Sequence, residues 1–171
     1  MKTVLCGIVL CFGASLPAAA QQQGFQDALL DRMAGHWVLE GTIGDDESVH
    51  DVVAEWVLDH QYLRFHEVAR ETEPDGTPLY EAIVFIGWDQ PSSRYACLWL
   101  DSTGGSGLDA QGIGHAKPSG DTLPFVFDTG DSGVIHTTFS YRRNTDTWQW
   151  HVDIERDGER TPFARVRLSR Q

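Results

Sequence analysis

The chain has 171 residues, a length that suits one domain with its own hydrophobic core. Its 13 basic and 25 acidic residues give a formal net charge of −12, which disfavours nucleic acid and anionic lipid surfaces as partners because both are negatively charged. Cys97 lies in the apolar stretch RYACLWL with no basic residue adjacent to lower its pKa. We therefore predict that Cys97 is a buried small hydrophobic residue rather than a catalytic thiol.

Residues 1–20 have the pattern of a signal peptide. Lys2 gives a positively charged start, an apolar run follows over 4–16, and three alanines ending at Ala20 match the small residues that a signal peptidase requires. The apolar run is shorter than the roughly 20 residues that a membrane-spanning helix needs. We expect cleavage near Ala20, a periplasmic or secreted protein without a membrane anchor after cleavage, and a mature domain over 21–171.

The remainder of the chain predicts one short helix followed by strands. Apolar residues at helical spacing predict an amphipathic helix over 26–34, with Gly35 as its C-terminal cap. After Gly35, apolar and polar residues alternate with a period of two, which is typical of antiparallel strands. The ten predicted strands are 36–43, 50–58, 61–70, 79–88, 95–100, 108–116, 122–128, 134–141, 147–156 and 163–169.

Turn-forming stretches such as PDGTP, DQPSS, KPSGD and RDGER separate these strands. Ten short strands joined mostly by short turns predict an all-β fold with an up-and-down antiparallel sheet. A sheet of that length closes into a barrel or folds into a sandwich, because either arrangement removes its unpaired edges.

The stretch GHWVLEGTI resembles the opening of calycin barrels, a group that includes lipocalins, fatty-acid-binding proteins and nitrobindin-like proteins. In these proteins a Gly-x-Trp motif follows a short helix, and Gly35 and Trp37 match it here. The resemblance implies a calycin-like, lipocalin-like barrel of about ten strands with a short N-terminal helix.

Three further stretches, EWVLDHQYLRFHE, YEAIVFIGWD and YACLWLDSTG, resemble in order and spacing a family of small bacterial proteins known as DUF1579, a domain of unknown function. The resemblance covers nearly the whole mature chain and implies a lipocalin-like barrel without an established activity. The matching residues are Trp56, Leu58, Tyr62, Leu63, Glu81, Gly87, Trp88, Asp89, Trp99, Asp101 and Ser102.

The glycine-rich stretch LWLDSTGGSG, residues 98–107, fits no catalytic loop. A phosphate-binding Walker loop requires a lysine that is missing here, and the dinucleotide fingerprint fails at its last glycine. A nucleophile elbow fails because Leu108 occupies the position of its second glycine. We predict a flexible turn between strands.

Six residues are candidates for binding a ligand. Asp101 and Ser102 end an apolar strand, where they either line a pocket at the rim of the barrel or cap the turn. Glu81 either lies inside with a basic partner or is a strand-end acid at the rim. Aromatic residues on the inner faces form the core or line a cavity. The candidates are Trp37, Glu81, Trp99, Asp101, Ser102 and Trp150.

No metal site or cofactor is predicted. The seven histidines lack the spacing of a zinc site, and the acidic run 45–47 is predicted to be a solvated loop. The likeness to nitrobindin-like calycins leaves haem as an alternative, with His151 as its axial ligand. However, His151 falls on the polar face of its strand, opposite Trp148 and Trp150.

The leading hypothesis is therefore an exported barrel that binds a small apolar or amphipathic molecule in its interior. One alternative is an enzyme, such as a hydrolase or isomerase, that uses Asp101, Glu81 and a histidine on the same barrel. Another is a non-catalytic interaction protein whose barrel is filled by side chains. A hollow interior would favour the first two hypotheses over the third.

Overall fold

The computed structural model describes residues 25–104, 108–117 and 119–171. The predicted signal peptide and the glycines of 105–107 lie outside the described residues. The described elements are α1 (Ala28–Met33), β1 (Gly35–Ile43), β2 (Asp46–Val57), β3 (Tyr62–Ala69), β4 (Glu81–Asp89), β5 (Arg94–Asp101), β6 (Ile113–Ala116), β7 (Thr122–Asp128), β8 (Val134–Arg142), β9 (Thr147–Arg156) and β10 (Glu159–Arg170), with 3-10 turns at Ala110–Gly112 and Gly130–Ser132.

The ten strands form one closed antiparallel barrel. Each strand pairs with its neighbours in sequence, and β1 pairs with β10 to close the sheet. This arrangement confirms the predicted all-β, up-and-down architecture, and it is a closed barrel rather than a sandwich. Closure pairs both edges of the sheet and leaves neither free for another strand.

The period-two alternation determines which side chains fill the interior. On β9, Trp148, Trp150 and Val152 are buried inside, while the intervening Gln149 and His151 lie on the outer face. Cys97 on β5 is 1% exposed, as predicted, and its burial raises the pKa of its thiol above the usual value.

Helix α1 closes one end of the barrel. Leu30 and Met33 are fully buried against the strands. Asp27 is the N-cap, with Oδ1 accepting hydrogen bonds from the backbone N–H groups of Leu29 and Leu30 at 2.8 and 2.9 Å. Its Oδ2 accepts a hydrogen bond of 2.5 Å from the hydroxyl of Tyr95 on β5, which ties the start of the helix to the wall. In the described part of the chain, no helix is long and apolar enough to cross a membrane.

The structure corrects four predicted boundaries. One is the start of β10, which begins at Glu159 instead of 163 because Glu159 and Arg160 already pair with β9. The helix ends at Met33 because Ala34 is already extended, so Gly35 begins β1 instead of capping α1. Strand β2 begins at Asp46 because a two-residue turn with Gly44 at φ 63° joins it directly to β1.

Strand β6 is the fourth correction, because it is shorter than predicted. The carboxylate of Asp109 accepts a hydrogen bond from Gln111 N and caps a 3-10 turn at Ala110–Gly112, which delays the strand until Ile113.

Candidate functional site: a cavity at the open end of the barrel

The end of the barrel opposite α1 contains a cavity of about 1020 Å³. Its volume slightly exceeds the range of about 300–1000 Å³ that is usual for small-molecule sites. Large side chains such as Trp37, Trp148 and Phe125 fill the end next to α1. Toward the opposite end, inward positions carry small side chains such as Ala69 and Ala164, which leave the interior open. The interior is therefore filled at the end next to α1 and hollow at the opposite end.

Two tryptophans form much of the aromatic wall. The rings of Trp99 on β5 and Trp150 on β9 lie 5.5 Å apart between centroids, and Phe139 stacks on Trp150 at 5.1 Å. Trp99 Nε1 donates a hydrogen bond to the hydroxyl of Tyr80 at 3.2 Å. Trp150 Nε1 is buried and has no hydrogen-bond partner among the described residues. The wall therefore combines a broad apolar face with an unused hydrogen-bond donor.

A buried pair of ionisable residues lies in the wall of the same cavity. His50 on β2 and Glu67 on β3 are 5% and 0% exposed, and the distance between His50 Nδ1 and Glu67 Oε1 is 2.5 Å. Burial raises the pKa of Glu67 above its ordinary value, and the hydrogen bond to His50 opposes that effect only in part. The second oxygen, Glu67 Oε2, is buried without a partner in the described residues. Such an atom is costly to leave unpaired.

Tyr80 and Asp101 extend this polar cluster. The ring of Tyr80 stacks on the imidazole of His50 with centroids 5.8 Å apart. Burial, followed by the negative charge of Glu67, raises the pKa of the Tyr80 phenol above its usual value, so that the hydroxyl stays protonated. Asp101 Oδ1 accepts hydrogen bonds from the backbone N and the hydroxyl of Thr103 at 2.9 and 2.5 Å. Asp101 thus caps the turn and lines the cavity as well.

The described lining is strongly acidic. It includes Asp46, Glu47, Glu67, Glu71 and Asp101, and it includes no lysine or arginine. Strand β2 carries the first two of these acids. Residues 45–47 are exposed, as predicted, but they form the end of a turn and the start of a strand at the cavity instead of a loop.

Three of the six predicted ligand-binding residues, Trp99, Asp101 and Trp150, line the cavity together. Trp37 lies instead in the filled end beside α1, where its Nε1 donates a hydrogen bond of 2.8 Å to the carbonyl of Met33. Its position explains its complete burial, because it packs between the helix and the barrel core.

Glu81 and Ser102 also lie away from the cavity lining. Glu81 is exposed on the outer face, where Oε1 is 2.7 Å from Nε2 of His66. Ser102 stabilises the end of the β4–β5 ladder, because its Oγ accepts from the backbone N of Glu81 and its own N donates to the carbonyl of Glu81. Glu81 is therefore the strand-end acid that was one of its two predicted positions.

Sequence reasoning missed His50, Glu67 and Tyr80 as site residues. Glu67 occupies the inward position between Phe65 and Ala69, and His50 shares the inward spacing of Val52. A charged residue within a row of otherwise apolar inward positions was the signal that could have identified this pair.

The described residues also bear on the possible metal ligands and on the haem alternative. Within 25–104, 108–117 and 119–171, histidine, cysteine and acidic side chains form no group of three or more that could hold a metal ion. His151 is exposed on the outer face of β9, so it is not placed to ligate a haem inside the barrel.

No protein-family model matches the chain, and no curated protein matches it. The resemblance to DUF1579 therefore stays a prediction from the sequence motifs.

Proposed function

We propose that the protein binds a small amphipathic molecule in the open half of its barrel. The observation that carries this proposal is the cavity of about 1020 Å³, in which aromatic side chains lie beside a polar cluster that contains the buried pair His50 and Glu67. Burial of apolar ligand surface against Trp99 and Trp150 would supply most of the binding free energy. The polar cluster of His50, Glu67, Tyr80 and Asp101 would orient the ligand's polar group.

A pair of variants on β8 tests whether ligands occupy the cavity. Thr137 lines the cavity and Thr138 is the next residue along the strand, with its side chain on the outer face. We expect Thr137→Phe to weaken binding of the neutral fluorescent probe N-phenyl-1-naphthylamine at least tenfold, and Thr138→Phe to leave it unchanged. Fluorescence titration measures both affinities, and melting temperatures verify that the variants fold. Equal binding by the two variants would contradict the proposal, as would failure of the wild-type protein to bind apolar and amphipathic probes.

An enzyme is a second candidate, and one observation favours it. Glu67 holds Nδ1 of His50, an arrangement in which a carboxylate orients an imidazole for acid–base chemistry. The structure thus favours His50 and Glu67 for this role, whereas Glu81 faces outward. Loss of turnover in His50→Gln, with a retained melting temperature, would support an enzyme. Wild-type inertness across esters, amides, lactones and enolisable ketones would argue against it.

A further inference from the structure

We propose that the cavity selects cationic amphiphiles, namely molecules with a protonated amine on an apolar body, over the fatty-acid-like anions of the same size. This inference rests on the proposed binding function and specifies the ligand's chemical class. The ligand's ammonium group would interact with Glu67 and Asp101, and its apolar body would pack against Trp99 and Trp150.

The first argument concerns the hydrogen bond that Glu67 lacks. A proton lies in the short contact between His50 Nδ1 and Glu67 Oε1, whichever of the two atoms it belongs to. In both cases Glu67 Oε2 is left as an acceptor, either as part of a carboxylate or as the carbonyl oxygen of a carboxylic acid. This atom is fully buried and has no partner in the residues described. An ammonium group that reaches this atom through a small side-chain shift can donate to it, but an ionised carboxylate cannot.

The second argument concerns charge. Five acidic residues line the cavity, and His50 is the only side chain of the described lining that can become positive. Opposite charges attract and like charges repel more strongly in a half-enclosed apolar site than in water, because the effective dielectric constant is lower. An anionic head group would therefore meet repulsion from the exposed carboxylates of Asp46, Glu47 and Glu71 at the mouth of the cavity, where a cation would meet attraction.

The third argument concerns the aromatic walls. Trp99 and Trp150 present indole rings to the space beside the polar cluster, and Tyr80 presents a phenol ring. Faces of such rings attract cations as well as apolar groups.

Three probes with one apolar chain and different head groups test the inference. Decylamine, decanol and decanoate are titrated by isothermal calorimetry at pH 7.5, below their micelle concentrations, where the amine is protonated and the acid is ionised. We expect decylamine to bind most tightly, decanol less tightly, and decanoate about tenfold or more weaker than decylamine, since one partly buried ion pair is worth about this factor.

Three variants then assign the preference to residues. Glu67→Gln and Asp101→Asn should each reduce the ratio of decylamine to decanol affinity, whereas Glu81→Gln, on the outer face, should leave it unchanged. Because Asp101 lies at the rim, its variant remains informative even if Glu67→Gln fails to fold. Decanoate that binds as tightly as decylamine would overturn the cationic preference while leaving the binding function intact. A preference that survives in both Glu67→Gln and Asp101→Asn would overturn the residue assignment, and failure of all three probes would overturn the proposed function itself.

Discussion

At the scale of single residues, Glu67 is the most unusual side chain in the barrel. A carboxyl group removed from water is destabilising unless it is paired, and among the described residues Glu67 has a partner for only one of its two oxygens. An apolar residue at this inward position would pack with Phe65 and Ala69 at no such penalty. The residue is therefore better explained by the proposed ligand than by what the fold needs.

Replacing Glu67 by glutamine should change how stability depends on pH. Folding raises the pKa of Glu67, so the folded protein retains a proton that the unfolded chain loses near its ordinary value of 4.5. The contribution of Glu67 to the free energy of unfolding is therefore fully present below pH 4.5 and is lost as the pH rises through the folded-state pKa. Glutamine cannot titrate, so the melting temperature of Glu67→Gln minus that of the wild type should increase from pH 4.5 to pH 7.5.

Glu159→Gln serves as the control for this measurement, because Glu159 is an exposed glutamate at the start of β10. A difference between Glu67→Gln and wild type that stays constant or shrinks as the pH rises would contradict the burial effect.

The site was only partly predictable at this scale, and the reason is geometric. Trp99, Asp101 and Trp150 could be recognised because alternation alone places them inside. The pairing of His50 with Glu67 depends on register, since His50 lies opposite Ala69 and is diagonal to Glu67. Periodicity within one strand contains no information about which residues of the next strand lie opposite it.

At the scale of elements, α1 closes one end of the barrel, and its stability depends on Asp27, the N-cap residue that precedes it. Six residues are too few to form a stable helix alone in water, so the cap and the packing of Leu30 and Met33 must hold it. Asp27 holds the helix in two ways, because it caps the first turn and accepts a hydrogen bond from Tyr95 in the barrel wall.

Asp27→Ala should therefore lower the free energy of unfolding by about 1–2 kcal/mol, the usual effect of losing an N-cap. Urea denaturation followed by tryptophan fluorescence measures this loss. Asp27→Asn should retain most of the stability, because its side-chain oxygen can still cap the helix. If the two substitutions prove equally harmful, the cap is not the source of the stabilisation.

Strands were predicted better than their ends. A period of two identifies a half-buried strand wherever it occurs, but it does not show where a side chain diverts the backbone. The carboxylate of Asp109 creates a 3-10 turn in a segment whose apolar pattern predicted a strand. The opposite error occurred at Asp46 and Glu47. Their acidic composition suggested a loop, but a tight turn at Gly44 places them in β2.

At the scale of the whole molecule, the β1–β10 pairing holds the barrel closed. Gly41 lies opposite Val166 in this pairing, at φ 142°, and a Cβ atom at this position would approach the carbonyl oxygen of Arg165 to 2.3 Å. Strand β10 can approach this closely only because position 41 lacks a side chain.

Gly41→Ala should consequently reduce the free energy of unfolding by about 3 kcal/mol, because it combines backbone strain with a clash against backbone atoms that cannot move aside. Gly44→Ala is the matched control: Gly44 also has a positive φ, but a Cβ atom there would meet no other atom within 4 Å. Its loss should be about 1 kcal/mol. Equilibrium denaturation compares the two, and equal losses would show that the close approach of β10 is unimportant.

The order of the strands also predicts when the cavity forms during folding, relative to the rest of the sheet. Nine of the ten pairings join strands that follow one another, whereas the closing pair brings Trp37 opposite Arg170. We expect contacts so distant in sequence to form late, because closing so long a loop costs the most chain entropy. Ile43 of β1 and Ala164 of β10 belong to the cavity wall, so the complete site should appear only after this pairing. In stopped-flow experiments, a bound ligand should therefore slow unfolding and leave the rate of refolding unchanged.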